Sequence, residues 1–186
     1  MSSKKYQVLV QTNIALIMAS LTSAIGVQLN YKMGIASLIV GIIACIGCVI
    51  GIRFVNYAFI RKLLLWFVAS FLGLAMSAKL IGVDASSVVL AVIATSGLVS
   101  VAGTYYDRFS INSLALVAVT GLIGVILLGI FGITGSWVSV IGAIVFFVAI
   151  MYDFKTIDVC KNAEEGPMNL MISIINLFSN MVDLTD

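Results

Sequence analysis

The sequence predicts an all-α integral membrane protein, a bundle of seven transmembrane helices. Three observations carry this prediction. Of the 186 residues, 62% are hydrophobic and only 10% are charged. The mean hydropathy is +1.20, so the chain has too little polar surface to coat a soluble globule. Its apolar runs are continuous and about 20 residues long, which suits helices crossing a bilayer rather than the shorter alternating strands of a barrel.

Seven apolar segments lie between the polar stretches, and charged residues or turn formers bound each of them in order. The segments run over 8–28, 35–52, 63–83, 88–106, 113–133, 137–152 and 168–183. The connections are too short for a second domain and no repeat is visible, so we expect a single transmembrane helical domain over residues 1–186. An alternative stays open in which the last run is re-entrant and only six helices cross.

The basic residues are distributed unequally between alternate loops. Those expected on the side of the N-terminus are Lys4, Lys5, Arg53, Arg61, Lys62, Arg108, Lys155 and Lys161, against Lys32 and Lys79 on the other side. By the positive-inside rule, this bias predicts a cytoplasmic N-terminus. The membrane depends on the host: the inner membrane for a bacterial or phage protein, and the endoplasmic reticulum or Golgi for a eukaryotic or viral one.

Composition argues against several classes of function. The net charge is only +2 and no basic stripe is interleaved with aromatic residues, which argues against nucleic-acid binding. Histidine is absent. Without it, no serine has the usual activating base and the commonest metal ligand is missing, so we expect no enzyme and no tightly bound cofactor. Proton sensing near neutral pH would need a buried carboxyl group instead.

Cys45 and Cys48 form a Cys-x-x-Cys pair within the second segment. This spacing occurs in thiol redox and zinc sites, but a third or fourth ligand is not nearby in the sequence. We interpret the two cysteines as small residues that allow close helix packing.

The last segment carries a polar face. Ser173, Asn176, Asn180 and Asp183 follow at spacings of three, four and three, which places them on one side of a helix. Such a helix prefers the centre of a bundle. The face either forms interhelical hydrogen bonds or lines a hydrated path, with Asn176, Asn180 and Asp183 as the pore-lining candidates.

Asp153 directly follows the sixth segment, and a carboxylate at the end of a membrane helix is expensive enough to be a functional candidate. The pattern of Tyr152-Asp153, an acidic loop with Glu164-Glu165 and Pro167, and a final run containing 175–178 (Ile-Asn-Leu-Phe) resembles the transmembrane Bax inhibitor-1 motif family. The stretch 106–110 (Tyr-Asp-Arg-Phe-Ser) is also similar to the family's run between its fourth and fifth helices.

The resemblance implies a bundle whose last helix is central and a pH-sensitive leak of calcium across the membrane. In bacterial members, two aspartates near the cytosolic ends of the last two helices share a proton and act as the sensor. Asp153 matches the first of these positions, whereas Ser173 stands at the second. A serine gives no like-charge repulsion, so we expect a switch at more acidic pH or none. Asp158, Glu164 and Glu165 are alternative carboxylates, but we expect solvated loop positions for them.

The family also carries an arginine on the second helix that pairs with the sensor aspartate. Arg53 is the natural counterpart by location, with Arg61 as the other choice. Either arginine has a second interpretation as an interfacial anchor. We therefore predict a proton sensor and gate formed by Asp153, Arg53 and Ser173.

Calcium prefers several hard oxygen ligands, so Asp153 with serine and asparagine neighbours makes a transient site that suits a leak better than storage. We expect calcium as the permeant ion and the lipid bilayer as the surroundings. The alternative function is a membrane interaction protein that regulates a protease, a lytic partner or a cell-death protein. Replacement of Asp153 by asparagine distinguishes the two, because it changes flux in a leak and leaves partner binding intact in an adaptor.

Overall fold

The computed structural model describes residues 3–29, 35–133 and 135–185, and these ranges form seven α-helices and no strand. The helices are α1 (Ser3–Gln28), α2 (Ile35–Phe54), α3 (Ala58–Leu80), α4 (Ala85–Tyr105), α5 (Ile111–Ile130), α6 (Ser136–Thr156) and α7 (Glu165–Thr185). The predicted helical class is confirmed, and each of the seven predicted segments falls mainly on one of these helices. Helices α1 and α3 begin before their apolar runs, because the basic residues in their first turns are good helix formers with long apolar stems. Lys32, used above for orientation, lies outside the described residues.

Five of the described helices are long and apolar enough to cross a membrane. Their spans are Lys4–Gln28, Ala58–Leu80, Ala85–Arg108, Ile111–Leu128 and Ser136–Val159. The shorter apolar stretch Ile39–Phe54 belongs to α2. Helix α7 falls outside this set because polar residues interrupt its apolar run, so the choice between six and seven crossings stays a prediction. The chain is an integral multi-pass membrane protein.

The helices group into two compact units. The first contains Met1–Gly82 and Ile157–Met171, and in it α1 and α3 pack closely. A methyl group at Gly73 would collide with the carbonyl oxygen of Ala19, and one at Gly26 would collide with Ser77. Glycine at these positions therefore lets the backbones of α1 and α3 approach, the usual means of packing helices in lipid.

The second unit contains Val83–Thr156 and Ile172–Asp186. Within it α6 packs against both α4 and α5, and Gly121 of α5 makes room for the side chain of Val145. The beginning of α4 is tied to the end of α7 by two hydrogen bonds. Ser87 Oγ donates to the carbonyl oxygen of Thr185 at 2.8 Å, and Thr185 Oγ1 donates to the carbonyl oxygen of Ser87 at 3.1 Å.

Helix α7 is the most buried of the described helices. Leu170, Met171 and Leu177 are fully buried, and the buried side chains continue to Val182 near its end. Helix α5 is the least buried of the five spans and exposes most of its large apolar side chains, as a lipid-facing helix does. The central position of the last helix in the bundle stays a prediction.

Candidate functional site

Asp153 and Ser173, the two sensor positions predicted from the sequence, are in direct contact. Ser173 Oγ of α7 donates a hydrogen bond to Asp153 Oδ2 of α6 at 2.7 Å, and both residues are buried, with 8% and 9% of their surface exposed. Because residue 173 is a serine, Asp153 receives a hydrogen bond here and is not repelled by a second carboxylate. A buried carboxyl group is thereby satisfied by a neutral partner.

The end of α6 that carries Asp153 is fixed by its neighbours in the same unit. The ring of Phe154 stacks on that of Tyr106 with centroids 5.8 Å apart, and Gly103 lies against the edge of Phe154. Lys155 Nζ donates to the carbonyl oxygens of Asp107 and Phe109. The 106–110 stretch noted in the sequence thus braces the end of α6, and Asp107 itself is exposed.

Beyond Ser173, the polar face of α7 lies against α6. Asn176 Nδ2 donates to the carbonyl oxygen of Ile172 at 2.8 Å, and Asn180 Nδ2 donates to that of Asn176 at 2.7 Å. Further on, Ser139 Oγ of α6 donates to Asp183 Oδ2 at 3.2 Å. We call this run the polar seam; it consists of Asp153, Ser173, Asn176, Asn180, Asp183, Ser139 and Gly142.

The seam differs in character from a neighbouring apolar cleft in the same unit. That cleft has a volume of about 250 Å³ and is lined by Leu98, Val140, Ala143, Ile144, Phe147, Met181 and Leu184. None of these side chains offers an oxygen ligand, so the cleft is unsuited to a cation. The polar seam is the better candidate for an ion path in this unit.

Arg53 and Arg61 both form ion pairs within the first unit. Arg61 Nε donates to Glu164 Oε2 at 2.7 Å, while Arg53 Nε lies 2.9 Å from Glu165 Oε1. The predicted pairing of Arg53 with Asp153, which belongs to the other unit, stays a prediction. Arg61 also donates to the carbonyl oxygens of Val55 and Asn56, just beyond α2.

The expectation that Glu164 and Glu165 are solvated is wrong. They are 1% and 8% exposed, because α7 begins at Glu165 and both carboxylates find a basic partner and the positive end of the helix. Asp158 does lie at the surface, where Lys5 pairs with it at 3.3 Å. The burial of two adjacent carboxylates is the main feature of this end that the sequence interpretation missed.

The remaining contacts hold residues 157–164, which we call the connector between α6 and α7. Lys4 Nζ donates to the carbonyl oxygens of Asp158 and Cys160 at 2.9 and 3.0 Å. Asn162 Nδ2 donates to the carbonyl oxygen of Ile52 at 2.8 Å. Helices α1, α2 and α3 therefore all contact the connector, which is a braced segment of the first unit.

Metal ligands are sparse. Within the described ranges, no group of three or more histidine, cysteine, aspartate or glutamate side chains is arranged to hold a metal ion. Cys45 and Cys48 are free thiols, both partly buried on α2. Any contact between Asp153 and calcium would therefore rest on a single carboxylate with hydroxyl and amide oxygens beside it.

Comparison with known proteins gives one family. The family model described as inhibitor of apoptosis-promoting Bax1 matches residues 5–185, nearly the whole chain. A search of curated proteins found no match to this chain.

Proposed function

This chain belongs to the Bax inhibitor-1 family, and from that membership we propose that it is a passive, pH-sensitive leak for calcium. The observation that carries the proposal is the buried hydrogen bond from Ser173 to Asp153. Burial penalises the charged form of a carboxyl group, whereas a donated hydrogen bond favours it. Two opposing effects of this kind let a change of pH alter the charge at one end of the polar seam.

The oxygen atoms of the polar seam support passage of a cation. Calcium takes carboxylate, hydroxyl and amide oxygens in irregular geometry, and a leak needs sites weak enough to release the ion. Asp153 supplies one carboxylate at the sensor end, and Asp183 supplies another beside Ser139. We propose that the ion is cargo, that the protein holds no resident cofactor and that it performs no catalysis.

The basic residues of the first unit support a cytoplasmic N-terminus. Lys4, Lys5, Arg53 and Arg61 all contact residues 158–165, so they gather at one end of this unit. A gathering of this kind is what the positive-inside rule expects on the cytoplasmic side. We propose that Arg53 pairs with Asp153 when the leak is closed. The ion pair between Arg53 and Glu165 competes with that pairing.

Flux in liposomes tests the proposal. The purified protein is reconstituted into vesicles loaded with a calcium dye, and influx is recorded from about pH 5 to about pH 8. Asp153→Asn is expected to remove the pH dependence. Asp107→Asn is the matched control, since it removes an exposed carboxylate and keeps the backbone carbonyl that Lys155 contacts. Wild-type flux no greater than that of empty vesicles would rule out the leak.

A second function is favoured by Ser173, which stands where the family's second aspartate is expected. A chain that has lost the two-carboxylate sensor suits a membrane interaction protein that regulates a protease, a lytic partner or a cell-death protein. In that case Asp153→Asn would leave partner capture unchanged, and neither the wild-type protein nor Asp153→Asn would conduct calcium.

A further inference from the structure

Gly142 of α6 lies directly against the amide group of Asn180 of α7. A methyl group at Gly142 would collide with Asn180 Oδ1 and would lie only 2.8 Å from Cγ and 3.0 Å from Nδ2. Contacts under 3.0 Å require something to move, and Asn180 is held by its own hydrogen bond to α7. The missing side chain of Gly142 therefore creates the space in which the amide oxygen sits.

The orientation of Asn180 follows from its hydrogen bond. Its Nδ2 is committed to the carbonyl oxygen of Asn176, one turn back on the same helix, so the lone pairs of Oδ1 are directed away from α7. Within the described part of the chain, no donor is hydrogen bonded to this oxygen. Asn180 is half-buried, and an amide oxygen withdrawn in part from solvent needs a partner, for which water or a cation is suitable.

Asn176 repeats the arrangement one turn earlier, with its Nδ2 bonded to the carbonyl oxygen of Ile172. Each asparagine thus donates one of its two amide N–H groups to its own helix, while its side-chain oxygen stays an acceptor. Neutral amide oxygens bind calcium, whereas magnesium gives up its water reluctantly and demands a regular octahedron. A constriction lined by such oxygens favours calcium over magnesium.

We propose that Gly142 and Asn180 form the constriction of the leak and determine which divalent cation passes. This inference rests on the proposed function, because it names the selectivity-determining contact of that path. Gly142 sets the width and Asn180 Oδ1 is the ligand. The contact between Gly142 and Asn180 lies about 16 Å along α6 from Asp153, at 1.5 Å per residue. The width of the path and its pH response are therefore set at different positions.

The test is the flux of calcium and of magnesium through reconstituted wild-type protein and three variants, each compared at equal amounts of folded protein. Gly142→Ala is expected to lower calcium flux about tenfold, equivalent to about 1.4 kcal/mol in a barrier, and to leave its pH dependence in place. Asn180→Ala is expected to bring the calcium-to-magnesium flux ratio close to one. In the double variant the added methyl group finds space, so calcium flux is expected to return to the level of Asn180→Ala.

Gly97→Ala is the matched control, because a methyl group there meets nothing within 4 Å in an equally apolar helix. If Gly142 only allows close packing, its alanine variant will unfold at lower temperature while flux per folded molecule stays at the wild-type level, and that result overturns the inference. If Gly142→Ala fails to fold, the calcium-to-magnesium flux ratio of Asn180→Ala tests the inference by itself. An unchanged flux ratio in Asn180→Ala, with a pH response abolished by Asp153→Asn, rejects the constriction and keeps the leak. Absence of wild-type flux rejects both.

Discussion

Arg61 and Glu164 form an ion pair that is almost completely withdrawn from solvent. The side chains are 13% and 2% exposed, and Nε lies 2.7 Å from Oε2. Arg61 uses a second nitrogen to bond the carbonyl oxygens of Val55 and Asn56. One guanidinium group therefore joins the end of α2, the beginning of α3 and the connector.

Removing Arg61 should be strongly destabilising. Arg61→Ala leaves the Glu164 carboxylate buried without its partner, which typically costs about 3–5 kcal/mol. Arg53→Ala is the comparison and should cost less, because the Arg53 side chain is 55% exposed and Glu165 keeps a hydrogen bond from the backbone N–H of Lys161. The free energy of unfolding in detergent micelles measures both. Equal losses would contradict the assignment of Arg61–Glu164 as the buried pair.

Restoring a second carboxylate should strengthen the pH response. Ser173→Asp places a carboxyl group beside Asp153, and two close carboxylates retain a proton between them to higher pH than one alone. The midpoint of calcium flux against pH is expected to rise by about one unit or more. Ser173→Thr keeps the hydroxyl and should keep the wild-type midpoint. A midpoint that is the same in both variants would show that position 173 does not act on the sensor.

The approach of α1 and α3 depends on Gly73. Gly73→Ala adds a methyl group that collides with the backbone of Ala19, so the helices must separate at a cost of about 1–3 kcal/mol. Gly47→Ala, where nothing lies within 4 Å, should have little effect on packing. Thermal unfolding of the two variants in the same detergent is the measurement, and similar melting temperatures would argue against close packing at Gly73.

Asp84, which precedes α4 outside the membrane-spanning segments, gives a local test of electrostatics. A hydrogen bond from the Ser86 hydroxyl lowers the pKa of the Asp84 carboxyl below its usual value. Since the folded-state pKa is the lower one, the contribution to stability is present above the unfolded pKa of about 3.9 and is lost as pH falls through the folded pKa. NMR titration should show a depressed pKa in wild type and Ser86→Thr, and a less depressed pKa in Ser86→Ala, which keeps the backbone N–H donors of residues 85 and 86.

The sequence predicted the helices well because continuous apolar runs are a strong signal. It also identified Asp153 and Ser173 separately, and the structure brings them into contact. It did not predict the ion pairs of Glu164 and Glu165, since charged residues in a short loop are normally solvated. Arg61 and Glu164 are 103 residues apart, so only tertiary packing reveals the pair. Two acidic residues just before Gly166-Pro167, at a helix N-terminus, were the available signal.

The first unit is assembled from two distant parts of the chain, and this dictates an order of events during biosynthesis. Helices α1, α2 and α3 are made long before residues 157–165, whose carboxylates pair with Lys5, Arg53 and Arg61. At about 5–20 residues per second, Arg61 waits about 5–20 s for Glu164 to leave the ribosome. Until then its guanidinium group must remain hydrated at the membrane surface. A nascent chain arrested before residue 157 therefore carries these three cations without their carboxylate partners.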